Sequence, residues 1–210
     1  GRRGLVRARG LGDVYKRQDL GDCGGEGEGE GEGEGEGEGE PITFDAASSA
    51  GTGTADQSTA TSLTWSHTVG TGNNRLLVVG VVVETWAPAG ETTASPVVSS
   101  LTYGGTALTE IPGSEAEVAR PAGGGDPEGR IRNWSELWYL LNPASGAHDI
   151  VITMAGNVEN IVGGAISLAG VAQQGPEAAE GQGFTATPFT TNITTVTNGA
   201  WVVDVIGTND

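Results

Sequence analysis

Between residues 62 and 69 apolar and polar side chains alternate strictly. Leu63, Trp65, His67 and Val69 fall on one face, and Ser62, Thr64, Ser66 and Thr68 on the other. A period of two predicts a half-buried strand with a hydroxyl-rich solvent face. Gly70-Thr71-Gly72-Asn73-Asn74 follows, a run of residues that tolerate positive φ and reads as a loop. Residues 75–84 are then apolar on both faces, with charges only at the ends. That pattern predicts a central strand covered on both sides. Gly80 within it predicts a bulge or the close approach of another backbone.

The same grammar runs on to the end of the chain. Residues 97–103 and 106–110 flank Gly104-Gly105, the signal of a two-residue hairpin. Residues 132–141, 148–155 and 160–171 read as strands. Residues 190–197 and 201–207 read as a last pair around Asn198-Gly199. With 42–46 the pattern predicts about ten short strands and no helix, an antiparallel β-sandwich of jelly-roll type. Two stretches rich in Pro, Gly and Glu, 112–129 and 172–183, read as long loops. The last strand, with Trp201, Val203 and Val205, would leave an apolar edge open. Because open apolar edges invite aggregation, further C-terminal strands are expected beyond Asp210.

Everything before Pro41 lacks this grammar. Residues 25–40 are eight consecutive Gly-Glu pairs. With no apolar residue to bury and like charges at every second position, this low-complexity segment is expected to be a disordered linker. Residues 1–18 carry six Arg and Lys without periodicity. The run Gly12-Asp13-Val14-Tyr15-Lys16-Arg17-Gln18 resembles translated sequencing-adapter read-through, as on a metagenomic fragment, so residues 1–18 are set aside from the reading of the fold. The expected organisation is an extension over 1–40 and one sandwich domain over 41–210.

Charge narrows the partners. The 170 residues from Pro41 onward hold four Arg, no Lys and sixteen Asp and Glu, a net charge of −12. Nucleic acid needs basic phosphate contacts and is not expected as a partner. Anionic membrane surfaces are disfavoured for the same reason, and no apolar run is long enough to predict membrane insertion. The one cysteine, Cys23, lies in the extension, so the domain is expected to stand without a disulfide.

Candidate chemistry is sparse. No phosphate loop, nucleophile elbow or dinucleotide fingerprint occurs, and no catalytic residue is assigned. Trp134, Glu136 and Trp138 share one face of a strand, the indoles about 13 Å apart. If Leu137, Tyr139 and Leu141 form the core side, a Trp-Glu-Trp stripe is left for a sugar ring. The alternative is a central strand with both faces covered. Trp86, beside Ala87-Pro88, is a second candidate aromatic. Glu136 and Asp204 are carboxylates that glycosidase chemistry would need in a pair. The plainer reading puts Glu136 at a solvent-facing or edge position. Glu115, Glu117, Asp126 and Glu128 gather in one loop and offer oxygen ligands to a structural calcium ion, the only cofactor considered. Their spacing matches no known calcium motif. His67, on the face of Trp65, reads as a hydrogen-bonded core histidine.

Four stretches, Trp65-Ser66-His67-Thr68-Val69, residues 74–81, residues 101–109 and Leu137-Trp138-Tyr139-Leu140-Leu141-Asn142-Pro143, together resemble a β-sandwich module that recurs in large secreted and cell-surface proteins of bacteria. The resemblance spans roughly half of the chain and rests on core and turn residues. It implies an extracellular or cell-surface location and a non-enzymatic structural or adhesion role, with other surface proteins or glycans as partners. The alternatives are a carbohydrate-binding module of a secreted enzyme and, more remotely, part of a glycan-active enzyme.

Overall fold

The computed structural model describes residues 5–10, 41–53, 59–87, 95–120, 130–185 and 190–207. Among these residues every regular element is a strand, and two antiparallel sheets face each other as a sandwich. The alternating segment becomes β3 (Ala60–Val69), whose burial alternates residue by residue as its sequence does. In the four-stranded sheet, β10 (Gly146–Val158) lies between β3 and β5 (Val98–Tyr103), and β6 (Thr106–Ala107) forms the edge. In the six-stranded sheet the order is β2 (Thr43–Gly51), β11 (Asn160–Ala169), β4 (Leu76–Ala87), β9 (Arg130–Leu141) and β7 (Thr109–Glu110). The short β8 (Ala116–Arg120) pairs further along β9.

Gly104 and Gly105 turn the β5–β6 hairpin at φ +55° and +83°, and both positive values match a type I′ turn. Gly80 makes no bulge: β4 keeps its register from Leu76 to Ala87 against β9, with Gly80 opposite Leu137 there and opposite Gly164 of β11 on the other side. The core is built from alternate residues of both sheets, Leu63, Val69, Leu101, Tyr103, Ile150 and Ile152 against Leu77, Val79, Val81, Val83 and Ile161. Each such side chain, fully buried, contributes about 1.5–3 kcal/mol of transfer free energy.

β4 and β11 also carry apolar residues on the outer face, at Val78, Ile166 and Leu168. The chain from Val171 onward covers that face, and among its described residues none before Trp201 lies in a strand. It is tied down at its start, where Gly170 and Val171 donate their N–H groups to the carbonyls of Asn73 and Asn74. Further on, Gly181 and Gly183 pass so close to the carbonyls of Glu115 and Glu117 that a Cβ at either would overlap them.

Several expectations need correction. Residues 190–197 form no strand: Thr197–Ala200 closes a turn, with Gly199 at φ +75°, but no hairpin partner precedes it. Alternating Thr residues mimic a strand in sequence, yet Ile193 and Val196 stay exposed and give that strand nothing to bury. The final strand, β12 (Trp201–Ile206), pairs instead with β1 (Leu5–Gly10), inside the segment set aside above. The rest of the 1–40 extension lies outside the described residues. Part of the expected 112–129 loop is strand β8, while 121–129 lie outside the described residues. The loop expected over 172–183 is irregular, but it packs as a layer.

Candidate functional site

The register of β9 against β4 decides where the Trp-Glu-Trp stripe points. Trp134, Glu136, Trp138 and Leu140 stand opposite Val83, Val81, Val79 and Leu77, the core-facing side chains of β4. The stripe therefore faces the inter-sheet core. Leu137, Tyr139 and Leu141 face the outer layer and are half-buried, so the arrangement that would leave the stripe for a sugar ring is not the one formed. Both faces of β9 are apolar in sequence, and alternation alone cannot say which one meets the partner sheet. Glu136 is buried, 4% exposed, and does not face solvent. Trp134 and Trp138 are half-buried and packed against the core.

A buried carboxylate needs donors, and its strand neighbours supply them. Trp134 Nε1–H donates to Glu136 Oε2 at 2.8 Å, and Trp138 Nε1–H donates to Oε1 at 2.7 Å. Residues two apart on a strand share a face at about 6.5–7 Å, so one short side chain reaches both indoles. Burial pushes the Glu136 carboxyl above the usual range, the two indole N–H groups pull it down, and the negative charge of Glu115 raises it again; burial prevails.

More carboxylates line this margin. Glu110 of β7 stands opposite Trp138, and Glu117 of β8 opposite Trp134. Burial raises Glu110, and a hydrogen bond to Glu115 with the charges of Glu136 and Glu115 raises it further. Glu115 also accepts the Gly113 N–H at 2.7 Å. Glu117 is paired with Arg132 and accepts the Ser95 hydroxyl at 3.0 Å. Of the four candidate calcium ligands, Glu117 is thus spent on an arginine and Glu115 on Glu110 and Gly113. Asp126 and Glu128 lie outside the described residues, among which no group of three potential metal ligands occurs. Trp86 stands opposite Ile131, on the other face of β4 from Val83, so it does not join Trp134. Asp204 sits half-buried in β12, opposite Arg7, and no contact brings it to Glu136.

A second polar cluster escaped the sequence. His67, 1% exposed, has Nδ1 2.8 Å from Ser48 Oγ and Nε2 3.2 Å from Ser167 Oγ. Trp65 Nε1–H donates to Ser48 Oγ at 2.9 Å, and Ser167 Oγ–H donates to Asp45 Oδ2 at 2.7 Å. Gly70 N–H donates to the same oxygen at 2.7 Å. Only one proton order satisfies every atom. Ser48, which accepts from Trp65, donates to Nδ1, and the Nε2–H of a neutral imidazole donates to Ser167. Burial lowers the His67 pKa and so favours that neutral form, while Asp45 opposes it more weakly. Tyr103 closes the cluster, its hydroxyl donating to the Gly146 carbonyl at 2.8 Å and its ring edge-on to His67 and His148. The core histidine was legible in the alternation of β3. Ser48, Ser167 and Asp45 were not, because the links span 19, 100 and 122 residues.

The chain matches no family model, no curated protein and no solved structure.

Proposed function

We propose that this chain is a non-catalytic β-sandwich module of a secreted or surface bacterial protein, acting as a structural spacer or adhesion unit towards other surface proteins. One observation carries the reading: the two buried polar clusters, around Glu136 and around His67, are matched within themselves. Glu136 spends both oxygens on two indoles of its own strand. His67 spends both nitrogens on serines. Such closed networks fix the packing of two sheets and turn these groups towards one another rather than towards a substrate. The one-sided acidic charge fits a solvated surface that resists non-specific association.

Trp134 and Trp138 retain some exposure beside Glu110 and Glu117, so a carbohydrate-binding module is the reading to test against. Folded full-length chain is applied to a glycan array, with Trp134→Phe and Trp138→Phe as controls. A flat array from a protein with a cooperative melting transition supports the structural role. A glycan hit that both variants lose while keeping that transition overturns it.

A further inference from the structure

The outer face of the six-stranded sheet and the chain that covers it form a partly open cavity of about 260 Å³. Leu76, Val78, Leu137 and Leu168 are among the residues of its floor, and Ile193 and Trp201 among those of its cover. We propose that this cavity is a binding site for a neutral, largely apolar small molecule of bicyclic-aromatic or monoterpenoid size bearing one hydrogen-bonding group. Nothing in the spacer or adhesion reading requires such a site, and the two stand independently.

Size, lining and charge converge on this class. An apolar cavity of about 150 Å³ stays dry and takes up benzene, which scales to about ten non-hydrogen atoms for the present volume. Most of the lining surface is apolar, from aliphatic side chains of the sheet and of its cover, so the cavity offers mainly dispersion contacts. Polar side chains from Ser114, Gln174, Thr195, Thr197 and Asn198 also reach the lining, and one polar group rises from the floor itself. Tyr139 lines the cavity, its hydroxyl 3.1 Å from where a Cβ at Gly175 would lie. That hydroxyl has no hydrogen-bond partner among the described residues. Gly175 is the residue that leaves it room. Among the described residues no Lys or Arg lines the cavity, whereas Glu177 and Glu180 do. Glu177 is occupied in holding the N–H groups of Val196 and Thr197 and the Thr197 hydroxyl. An anionic ligand such as a fatty acid would find no counter-ion here, and both carboxylates are exposed and offer a cation no buried partner, which favours neutral molecules.

The test uses the full chain with naphthalene, 1-naphthol and naphthalene-1-sulfonate, titrated by ligand fluorescence. Saturable one-to-one binding is expected for the two neutral probes. 1-Naphthol should bind about fivefold tighter through a hydrogen bond to Tyr139, and the sulfonate at least tenfold more weakly than naphthalene. Tyr139→Phe should bring 1-naphthol down to the affinity of naphthalene and leave naphthalene unchanged. Ala179→Phe, which fills the cavity from the cover, should abolish both neutral titrations without lowering the melting temperature. Ala200→Leu serves the same purpose if the first variant does not fold. The absence of saturable binding to the folded chain, equal binding by the cavity-filled variant, or equal affinity for the sulfonate would each overturn the proposal.

Discussion

Glu136 survives inside the sandwich because the two residues that flank it on its own face are both tryptophans. An unpaired buried carboxylate would instead take up a proton or force the sheets apart. Removing one donor should therefore cost more than the lost bond, since the freed oxygen stays buried. Trp138→Phe is expected to lower stability in urea by about 1–3 kcal/mol and to push the Glu136 carboxyl still higher. Glu136→Leu in a Trp134→Phe/Trp138→Phe background should cost less than the same change in the parent chain, because no indole is then left without its acceptor. A double-mutant cycle that comes out additive would show that the three residues do not act as a unit. Gly163 makes a different demand. A Cβ there would lie 2.5 Å from Trp65 Cη2 and 3.2 Å from Ile152 Cδ1. Trp65 is held by Ser48 and cannot simply turn away. Gly163→Ala should destabilise by about 1–3 kcal/mol as an overpacked core, and an unchanged urea midpoint would contradict the packing described here.

At the scale of elements, what the sequence showed depended on the asymmetry of each segment. β3 alternates between core and solvent in both sequence and structure, so its faces were unambiguous. The β5–β6 hairpin was legible because Gly104-Gly105 allows little else, and the turn gives a clean test of that chemistry. Gly105 has φ +83° and nothing within 4 Å of a prospective Cβ, so substitution there is strained by the backbone alone. Gly105→Ala should cost about 1–2 kcal/mol, and Gly105→Asn markedly less, because Asn tolerates the left-handed region. Equal melting temperatures for the two variants would exclude the backbone as the cause. β4 and β9 were legible as central strands but not as oriented ones. Apolar residues on both faces leave orientation to the register with neighbours, and that register is fixed by contacts far away in sequence. Residues 190–197 show the opposite failure, where Thr alternation without apolar anchors looks like a strand and folds as a cover.

Across the molecule, the two buried polar clusters pull stability in opposite directions with pH. His67 has a folded pKa below its ordinary value of 6.5. Between that folded value and 6.5 the unfolded chain binds a proton that the folded chain refuses, so its contribution is lost as pH falls through this window. Glu136 and Glu110 have folded pKa values above the ordinary 4.5. Between 4.5 and those values the folded chain binds more protons than the unfolded one, so their contribution grows as pH falls. Each group can contribute a slope of at most about 1.4 kcal/mol per pH unit. The usual acid loss of stability should thus be set by the histidine side of the sandwich and offset by the carboxylate side. His67→Gln removes the first titration, and its stability deficit relative to the parent chain should shrink as pH is lowered below 6.5. Glu136→Gln removes part of the second, and the stability of the parent relative to this variant should rise as pH is lowered towards 4.5. Urea denaturation of the three proteins at half-unit pH intervals measures both differences. A parent-minus-variant curve of the wrong sign for either residue would mean that its burial does not control its ionisation. Opposite signs, each confined to its own window, would show that the His67 cluster and the Trp-Glu-Trp cluster ionise independently within one fold.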